Sequence, residues 1–184
     1  MKIYFDTEFT GLQKDTTLIS IGCIDENNRT FYAELTDYDK KQVNDWIKDN
    51  VIANLFLDKN SVKIEEATDD KPESWLISGN KKMVAKAFKE WLEDYQDVQF
   101  VSDVCHYDIV LLIDLFGSAF DLPDGVSAVC HDINQDIASH YNMSDAEAFD
   151  ASREELLETS IEGAKHNSLY DAKVIKGLYD QMFS

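Results

Sequence analysis

The fold of this 184-residue chain is organised around the stretch Ile3-Tyr4-Phe5-Asp6-Thr7-Glu8-Phe9-Thr10-Gly11-Leu12. A short apolar strand runs into two acids and then into a turn marked by Gly11. Because side chains alternate between the faces of a strand, Asp6 and Glu8 point to the same side. Paired carboxylates are the ligands that Mg²⁺ and Mn²⁺ prefer. Taken alone, the pair is explained more simply as two solvated acids at a strand end, so the remainder of the chain has to distinguish the two interpretations.

The length and composition predict a single domain over residues 1–184 with a core of its own. The net charge of −19, from 36 acidic and 17 basic residues, disfavours broad electrostatic binding of nucleic acid, so any such contact should be local and metal-assisted.

Three cysteines without a CxxC spacing argue against a disulfide framework or a zinc site and indicate a reducing compartment, which we expect to be the cytoplasm. No apolar run has the length of a membrane span and no signal peptide is recognised, so no membrane association is expected.

Periodicity and turn residues predict an α/β domain with a mixed five-stranded sheet flanked by helices. The first three strands are joined by short turns and should form an antiparallel meander. The segment 60–79 is polar and irregular and is interpreted as a long connection. The helix over 40–49 should carry Val43, Trp46 and Ile47 on its apolar face. Predicted strands cover residues 2–6, 18–24, 30–35, 98–102 and 126–130, and predicted helices cover 40–49, 81–95, 106–116, 134–141, 145–157 and 169–183.

Two predicted helices carry an acid on their apolar face. Asp108 shares a face with the leucines three, four and seven positions later, and Asp171 shares one with Val174 and Ile175. Both acids lie in the first turn, where the helix dipole favours an anion, so each could simply cap its helix. Capping does not explain their place on the apolar stripe, because a buried carboxylate is costly unless it is paired or binds a metal. We therefore interpret both acids as candidate metal ligands.

His166 precedes Asp171 by five positions and lies in the loop before the last helix, where Ser168 is the expected N-cap. At that location it would stand at the rim of any site that Asp171 enters. An imidazole titrates near neutral pH, which suits a general base acting on water. An ordinary surface histidine is the alternative interpretation.

Together these residues resemble the three motifs of the DEDDh 3′→5′ exonucleases, a family with a ribonuclease H-like fold. The chain is most similar to the small stand-alone branch described as 3′→5′ exoribonuclease-like. The second motif departs from the common pattern, since Val104-Cys105-His106-Tyr107 replaces the usual His-Asn-Ala-Phe. Asp103 therefore competes with Asp108 for this motif, and we choose Asp108 for its helical face and the aromatic residue before it. The resemblance spans nearly the whole chain and rests on Asp6-Thr7-Glu8, Tyr107-Asp108, and His166 with Asp171.

The resemblance implies hydrolysis of phosphodiester bonds with two divalent ions, Mg²⁺ or Mn²⁺, about 4 Å apart. Asp6 would bridge both ions, with Glu8 and Asp171 completing the site beside the attacking water. Asp108 would hold the second ion, and His166 would take the proton from that water. Four carboxylates against two dications leave such a site nearly neutral, which partly answers the objection from the net charge.

The implied substrate is the 3′ end of a single-stranded nucleic acid, with RNA favoured over DNA and nucleoside 5′-monophosphates as products. Stacking of a base on an aromatic ring is worth about 1–3 kcal/mol. For Phe9 and Leu12, core packing is an equally compatible interpretation. The family includes monomers and homodimers, so both states are compatible with the chain. The residues expected to contact the terminal nucleotide are Thr7, Phe9, Thr10, Gly11 and Leu12.

A second interpretation keeps the exonuclease fold without strong activity. The chain would then be a catalytically weak or inactive subunit that binds a protein partner in a nucleic-acid-processing complex. Its acidic surface would suit a basic partner. The five chemically intact positions of the motifs argue against this alternative.

Overall fold

Seven strands form one mixed sheet in the computed structural model, which describes residues 1–69 and 71–183. Their order across the sheet is β4-β5-β3-β2-β1-β6-β7. The first three strands pair antiparallel, as predicted, whereas β6 pairs parallel with β1 and β7 pairs parallel with β6. The parallel pair of β3 and β5 and the antiparallel pair of β5 and β4 complete the sheet. The strands are β1 Lys2–Phe9, β2 Leu18–Asp25, β3 Thr30–Leu35, β4 Val62–Glu65, β5 Ser74–Gly79, β6 Val98–Ser102 and β7 Val126–Asp132.

Helices connect and cover these strands. The α-helices are α1 Asp45–Asn50, α2 Lys81–Leu92, α3 His106–Phe116, α4 Ile133–His140, α5 Asp145–Asp150, α6 Arg153–Leu156 and α7 Ser168–Phe183. Two short 3₁₀ turns cover Lys40–Gln42 and Ile52–Asn54. Within the two described ranges, no helix combines the length and the apolar character needed to cross a bilayer.

The sheet is covered on both faces, because alternate residues of β1 point to opposite sides. Ile3 and Phe5 belong to a core formed with α2 and α3, whereas Tyr4 belongs to a second core formed with α4 and α7. By the same alternation, Asp6 and Glu8 lie on the α7 face of the sheet, with the residue between them on the α3 face. The predicted α/β class with a mixed sheet flanked by helices is confirmed.

The prediction of five strands is wrong, because β4 and β5 both lie in the segment 60–79 that the sequence predicts as a connection. Residue 70 of that segment lies outside the described residues. β4 alternates apolar and polar residues, but it is only four residues long and fully exposed, so the alternation is too short to distinguish a strand from a polar loop. β5 begins at Ser74 and ends at Gly79, and both residue types are more typical of turns.

Two predicted helices are divided in the structure by polar side chains. The segment 40–49 becomes a 3₁₀ turn and α1, because the Asn44 side chain accepts a hydrogen bond from the Ile47 N–H and begins a new helix. Trp46, expected on the apolar face of that helix, is 54% exposed. The segment 145–157 becomes α5 and α6, where Ser152 caps α6 by accepting a hydrogen bond from the Glu155 N–H.

Candidate active site

The two parts of the site, at the ends of β1 and α7, meet through β2. Asp6 pairs with Gly22 across the β1–β2 ladder. Two residues away on β2, the hydroxyl of Ser20 lies 3.0 Å from the hydroxyl of Ser168, and both serines are buried. α7 therefore starts directly over the strand that pairs with β1. This packing turns Asp171, in the first turn of α7, towards the acids of β1.

Ser168 is not the N-cap of α7 that the sequence predicts. It is the first helical residue, and its hydroxyl is directed to β2 instead. Asn167 takes the capping role, since its Oδ1 accepts a hydrogen bond of 3.2 Å from the Tyr170 N–H. Its Nδ2 donates to the hydroxyl of Tyr32 at 3.2 Å. The start of α7 is thus fixed from two sides.

Three carboxylates converge at this point. One oxygen from each of Asp6, Glu8 and Asp171 lies within 4.8 Å of the other two. Burial, followed by the charge of neighbouring carboxylates, raises the pKa of Asp6 well above its usual range and the pKa of Glu8 to about 8. Burial also raises the pKa of Asp171 to about 7, although a hydrogen bond from the backbone N–H of His166 opposes this rise.

The donor set of this cluster fits a divalent cation. Carboxylates crowded in a half-buried space disfavour one another's charge, and a dication between them would remove that repulsion. All three donors are oxygens, which suit Mg²⁺ or Mn²⁺, whereas structural zinc sites are built from cysteine and histidine.

Asp108 lies beside the cluster and is fixed by Thr7. Its Oδ1 accepts one hydrogen bond from the Thr7 backbone N–H (3.0 Å) and a second from the Thr7 hydroxyl (2.6 Å). This contact joins the first turn of α3 to β1 between Asp6 and Glu8. Burial raises the pKa of Asp108 to about 6, against the lowering effect of the two bonds from Thr7.

Asp103, the competing acid of the second motif, is bound by an arginine. Arg153 Nε donates to its Oδ2 (2.6 Å) and Nη2 donates to its Oδ1 (2.9 Å), a bidentate ion pair. The guanidinium also donates to the backbone carbonyls of Ala148 and Ala151. Since both of its oxygens are engaged, Asp103 is a poorer candidate for a metal ligand than Asp108.

His166 stands at the rim of the site, where its Nδ1 lies 4.0 Å from Oε1 of Glu8. Its ring contacts Trp46 edge-on, with ring centroids 5.0 Å apart. Burial and the charge of Lys165 lower the pKa of His166 below its usual value. The imidazole is therefore neutral at physiological pH, and a neutral imidazole can accept a proton.

The turn after β1 presents only part of the predicted substrate-contacting set. Leu12 is 78% exposed, which excludes core packing for this residue. Phe9 stacks on Tyr107 with ring centroids 5.3 Å apart and packs against the core, which favours the packing interpretation. Thr10 is buried, and its N–H donates to the carbonyl of Thr17, so this donor is already used.

Thr7 and Gly11 belong to the frame of this turn. Both donors of Thr7 are directed to Asp108, and the residue is 4% exposed. Gly11 has a φ of +146°, and a Cβ there would lie 2.4 Å from the side-chain oxygen of Gln13. Both residues thus hold the shape of the turn that carries Leu12.

A cleft of about 760 Å³ surrounds the carboxylates. Its wall includes Trp46, Phe149 and Arg153, none of which the sequence assigned to the site. Phe149 is 60% exposed, so with Trp46 it offers a second aromatic surface at the cleft. One signal could have drawn attention to Phe149 and Arg153, since they are the one aromatic and the one basic residue of the acidic segment 145–157.

The fold and the site define an α/β protein with a half-buried carboxylate cluster at the end of a central strand. Residues 1–182 match the family described as the 3′-5′ exoribonuclease Rv2179c-like domain, and the chain belongs to that family. Two relatives, from Mycobacterium tuberculosis strains CDC 1551 / Oshkosh and ATCC 25618 / H37Rv, are named 3′-5′ exoribonuclease MT2234.1 and 3′-5′ exoribonuclease Rv2179c. Each is 24% identical to this chain over 137 residues, which is 73% of this chain and 73% of the relative.

Proposed function

We propose that this chain is a metal-dependent 3′→5′ exonuclease that shortens single-stranded RNA from its 3′ end and releases nucleoside 5′-monophosphates. The observation that carries the proposal is the convergence of Asp6, Glu8 and Asp171 within 4.8 Å of one another in an open cleft. Membership of a family described as 3′-5′ exoribonuclease supports the proposed direction of cleavage and the proposed preference for RNA. We assign the site to the DEDDh type and the sheet to the ribonuclease H-like fold, by the resemblance of the motifs.

The carboxylates have distinct tasks in this proposal. Asp6, Glu8 and Asp171 would hold one ion, and Asp6 together with Asp108 would hold the second. Bound Mg²⁺ or Mn²⁺ supplies positive charge to the phosphate oxygens and favours deprotonation of water. Because Thr7 donates twice to Oδ1 of Asp108, we assign Oδ2 as the ligand atom. Thr7 then orients Asp108 and neutralises part of its charge, as partners of ligand carboxylates commonly do.

His166 would accept the proton of the attacking water. Its Nδ1 is 4.0 Å from Glu8, close to the carboxylate cluster without being a member of it. Its lowered pKa keeps the ring in the proton-accepting form at neutral pH. The edge-on contact with Trp46 restricts the orientation of the ring. A positioned general base typically contributes about 10²–10⁴-fold in rate.

The cleft and the charge of the protein favour an unpaired strand. With a net charge of −19, affinity has to come from local contacts rather than from a basic surface. Leu12, Trp46 and Phe149 offer exposed apolar surface along the cleft. Bases can stack on such surfaces when they are unpaired, whereas the bases of a duplex are covered by their neighbours.

A parallel digestion tests the proposal. Single- and double-stranded RNA and DNA of one sequence, labelled at the 5′ end, are incubated with Mn²⁺ and the wild-type protein. We expect a ladder that shortens from the 3′ end, fastest for single-stranded RNA, and no ladder with Asp6→Asn. Asp136→Asn, which replaces an acid on α4, is the matched control and should retain the ladder. Intact substrates in all four reactions would refute nuclease activity, and faster digestion of DNA would refute the preference for RNA.

A further inference from the structure

The turn between β6 and α3 holds a residue in an unfavourable backbone conformation. Val104 has a φ of +51°. Of the non-glycine residues with positive φ in the described ranges, it alone is β-branched; the others are asparagine, aspartate or histidine. The left-handed region is disfavoured for any residue with a Cβ and most strongly for a branched one. Such a conformation persists only where the surrounding structure holds it.

The carboxylate of Asp132 stabilises this backbone conformation of Val104. Its Oδ1 accepts a hydrogen bond from the Val104 N–H (2.9 Å), and its Oδ2 accepts one from the Cys105 N–H (3.3 Å). Oδ1 also accepts from the Asn134 N–H (3.0 Å) at the start of α4. Asp132 is itself anchored, because it ends β7 opposite Ser102 of β6. One side chain thus joins the β6–α3 turn to the neighbouring strand and helix.

The start of α3 depends on this turn. Cys105 precedes the helix but makes no capping hydrogen bond with its side chain. The His106 N–H donates to the Val104 carbonyl at 2.8 Å, which closes a tight turn. Asp108 follows in the first helical turn, where its carboxylate meets Thr7. A shift of the turn would therefore displace Asp108 from Thr7.

We propose that Asp132 is a positioning residue of the active site, which holds Val104 in the left-handed conformation and thereby places Asp108 against Thr7. The inference rests on the proposed function for the catalytic importance of Asp108, whereas the contact between Asp108 and Thr7 stands without it. Asp132 acts through the backbone of the turn and not on the substrate. Removal of residues that support a ligand in this way typically costs about 10–100-fold in activity or metal affinity.

A double-mutant cycle between Asp132 and Val104 tests the proposal. Asp132→Ala should lower kcat/KM on an oligoribonucleotide by about 10–100-fold, mainly through kcat. Val104→Gly removes the Cβ, so residue 104 can adopt the left-handed conformation without the hydrogen bonds that the turn makes to Asp132. In that background, Asp132→Ala should therefore cost roughly fivefold less than in the wild type. Val104→Ala is the matched control, because it shortens the side chain but keeps the Cβ, and it should relieve less of the loss.

Amide hydrogen exchange separates this role from a general loss of stability. In Asp132→Ala, the N–H groups of Val104, Cys105 and Thr7 should exchange faster, while buried amides of β2 should not change. Asp136→Ala removes a nearby acid that contacts His131, and it should leave the exchange of Thr7 and the activity within about twofold of the wild type. Asp132→Asn, which retains one acceptor oxygen, provides the same comparison if the alanine variant does not fold.

Full protection of the Thr7 amide in Asp132→Ala would overturn the proposal. An undiminished cost of Asp132→Ala in the Val104→Gly background would do the same. Because hydrogen exchange needs no substrate, it tests whether Asp132 keeps Asp108 bonded to the Thr7 N–H, independently of nuclease activity. A wild-type protein that digests nothing would refute the proposed function and leave the exchange result to decide this inference.

Discussion

The backbone of Leu169 passes so close to Gly22 that a Cβ on this glycine would lie 2.2 Å from the Leu169 nitrogen. Gly22 pairs with Asp6 on β1, and Leu169 lies two residues before Asp171 on α7. The absence of a side chain at one position of β2 therefore allows the acids of the two ends of the chain to approach each other.

Gly22→Ala should displace the start of α7 and separate Asp171 from Asp6. We expect kcat/KM to fall by about 10²-fold or more, because a misplacement of about 1 Å at a catalytic site has an effect of that size. Initial rates on single-stranded RNA measure the loss, and circular dichroism verifies that the fold remains.

Gly177→Ala on α7 is the matched control for this prediction. A Cβ at Gly177 would meet only the side-chain ends of Leu157 and Ile161, at 3.1 and 3.3 Å. These ends can move, so activity should stay within about twofold of the wild type. Equal activity of both alanine variants would contradict the role assigned to Gly22.

Asp171→Asn should abolish hydrolysis and at the same time stabilise the metal-free protein. The substitution keeps the size of the side chain but removes one of three crowded ionisable carboxyl groups. A substitution that removes an unfavourable charge contact commonly adds about 0.5–2 kcal/mol of stability, and in a domain of this size each kcal/mol raises Tm by about 2–4 °C. Thermal denaturation in EDTA measures the change. A lower Tm for Asp171→Asn would show that this carboxylate contributes stability in the absence of metal.

The stability of the metal-free protein should fall as the pH rises through 7 and 8. The pKa of Asp171 is raised to about 7 and that of Glu8 to about 8, so the folded state binds more protons than the unfolded state between about pH 4 and pH 8. Stability decreases with pH wherever the folded state holds the extra protons. The stabilisation by protonation is thus complete at low pH and lost above these pKa values.

The difference in Tm between Asp171→Asn and the wild type isolates this effect from the net charge of the protein, which acts on both. We expect the difference to grow from pH 5.5 to pH 8.5 in EDTA. A difference that is constant over this range would mean that the carboxylates do not titrate as a crowded cluster.

His166→Ala should lower kcat by about 10²–10⁴-fold while Mn²⁺ binding is retained. The side chain is at the rim of the site and not among the converging carboxylates, so its loss should remove proton transfer and leave the ligands in place. Single-turnover kinetics and Mn²⁺ titration measure the two properties separately. His140→Ala on α4 is the matched control and should behave like the wild type. Loss of Mn²⁺ binding in His166→Ala would assign the histidine to the ligand set instead.

Local rules were sufficient to predict much of the fold and the acidic cluster. The alternation of a strand placed Asp6 and Glu8 on one face, and the helical period placed Asp171 on the apolar side of α7, where the structure brings the three together. Both signals depend on residues that are near one another in the chain.

The parts that sequence reasoning missed depend on contacts between distant segments or on exposed elements. β4 has only four residues and all are exposed, so its short alternation of apolar and polar residues was too weak a signal within a polar segment. Arg153 binds Asp103 across 50 positions, and no local pattern encodes such a partner. Ser168 had the residue type of a cap, but its contact with Ser20 across the sheet gave it a different role.

The central claim is that Asp6, Glu8 and Asp171 form a site for a divalent ion, and Mn²⁺ binding followed by electron paramagnetic resonance tests it most directly. Metal-free wild type and Asp6→Asn are titrated with Mn²⁺, with Asp136→Asn, which replaces an acid that does not line the cleft, as the control. We predict that the wild type and Asp136→Asn bind Mn²⁺ with the same affinity, and that Asp6→Asn loses this binding while keeping its fold. Equal stoichiometry and affinity in Asp6→Asn and the wild type would contradict the claim.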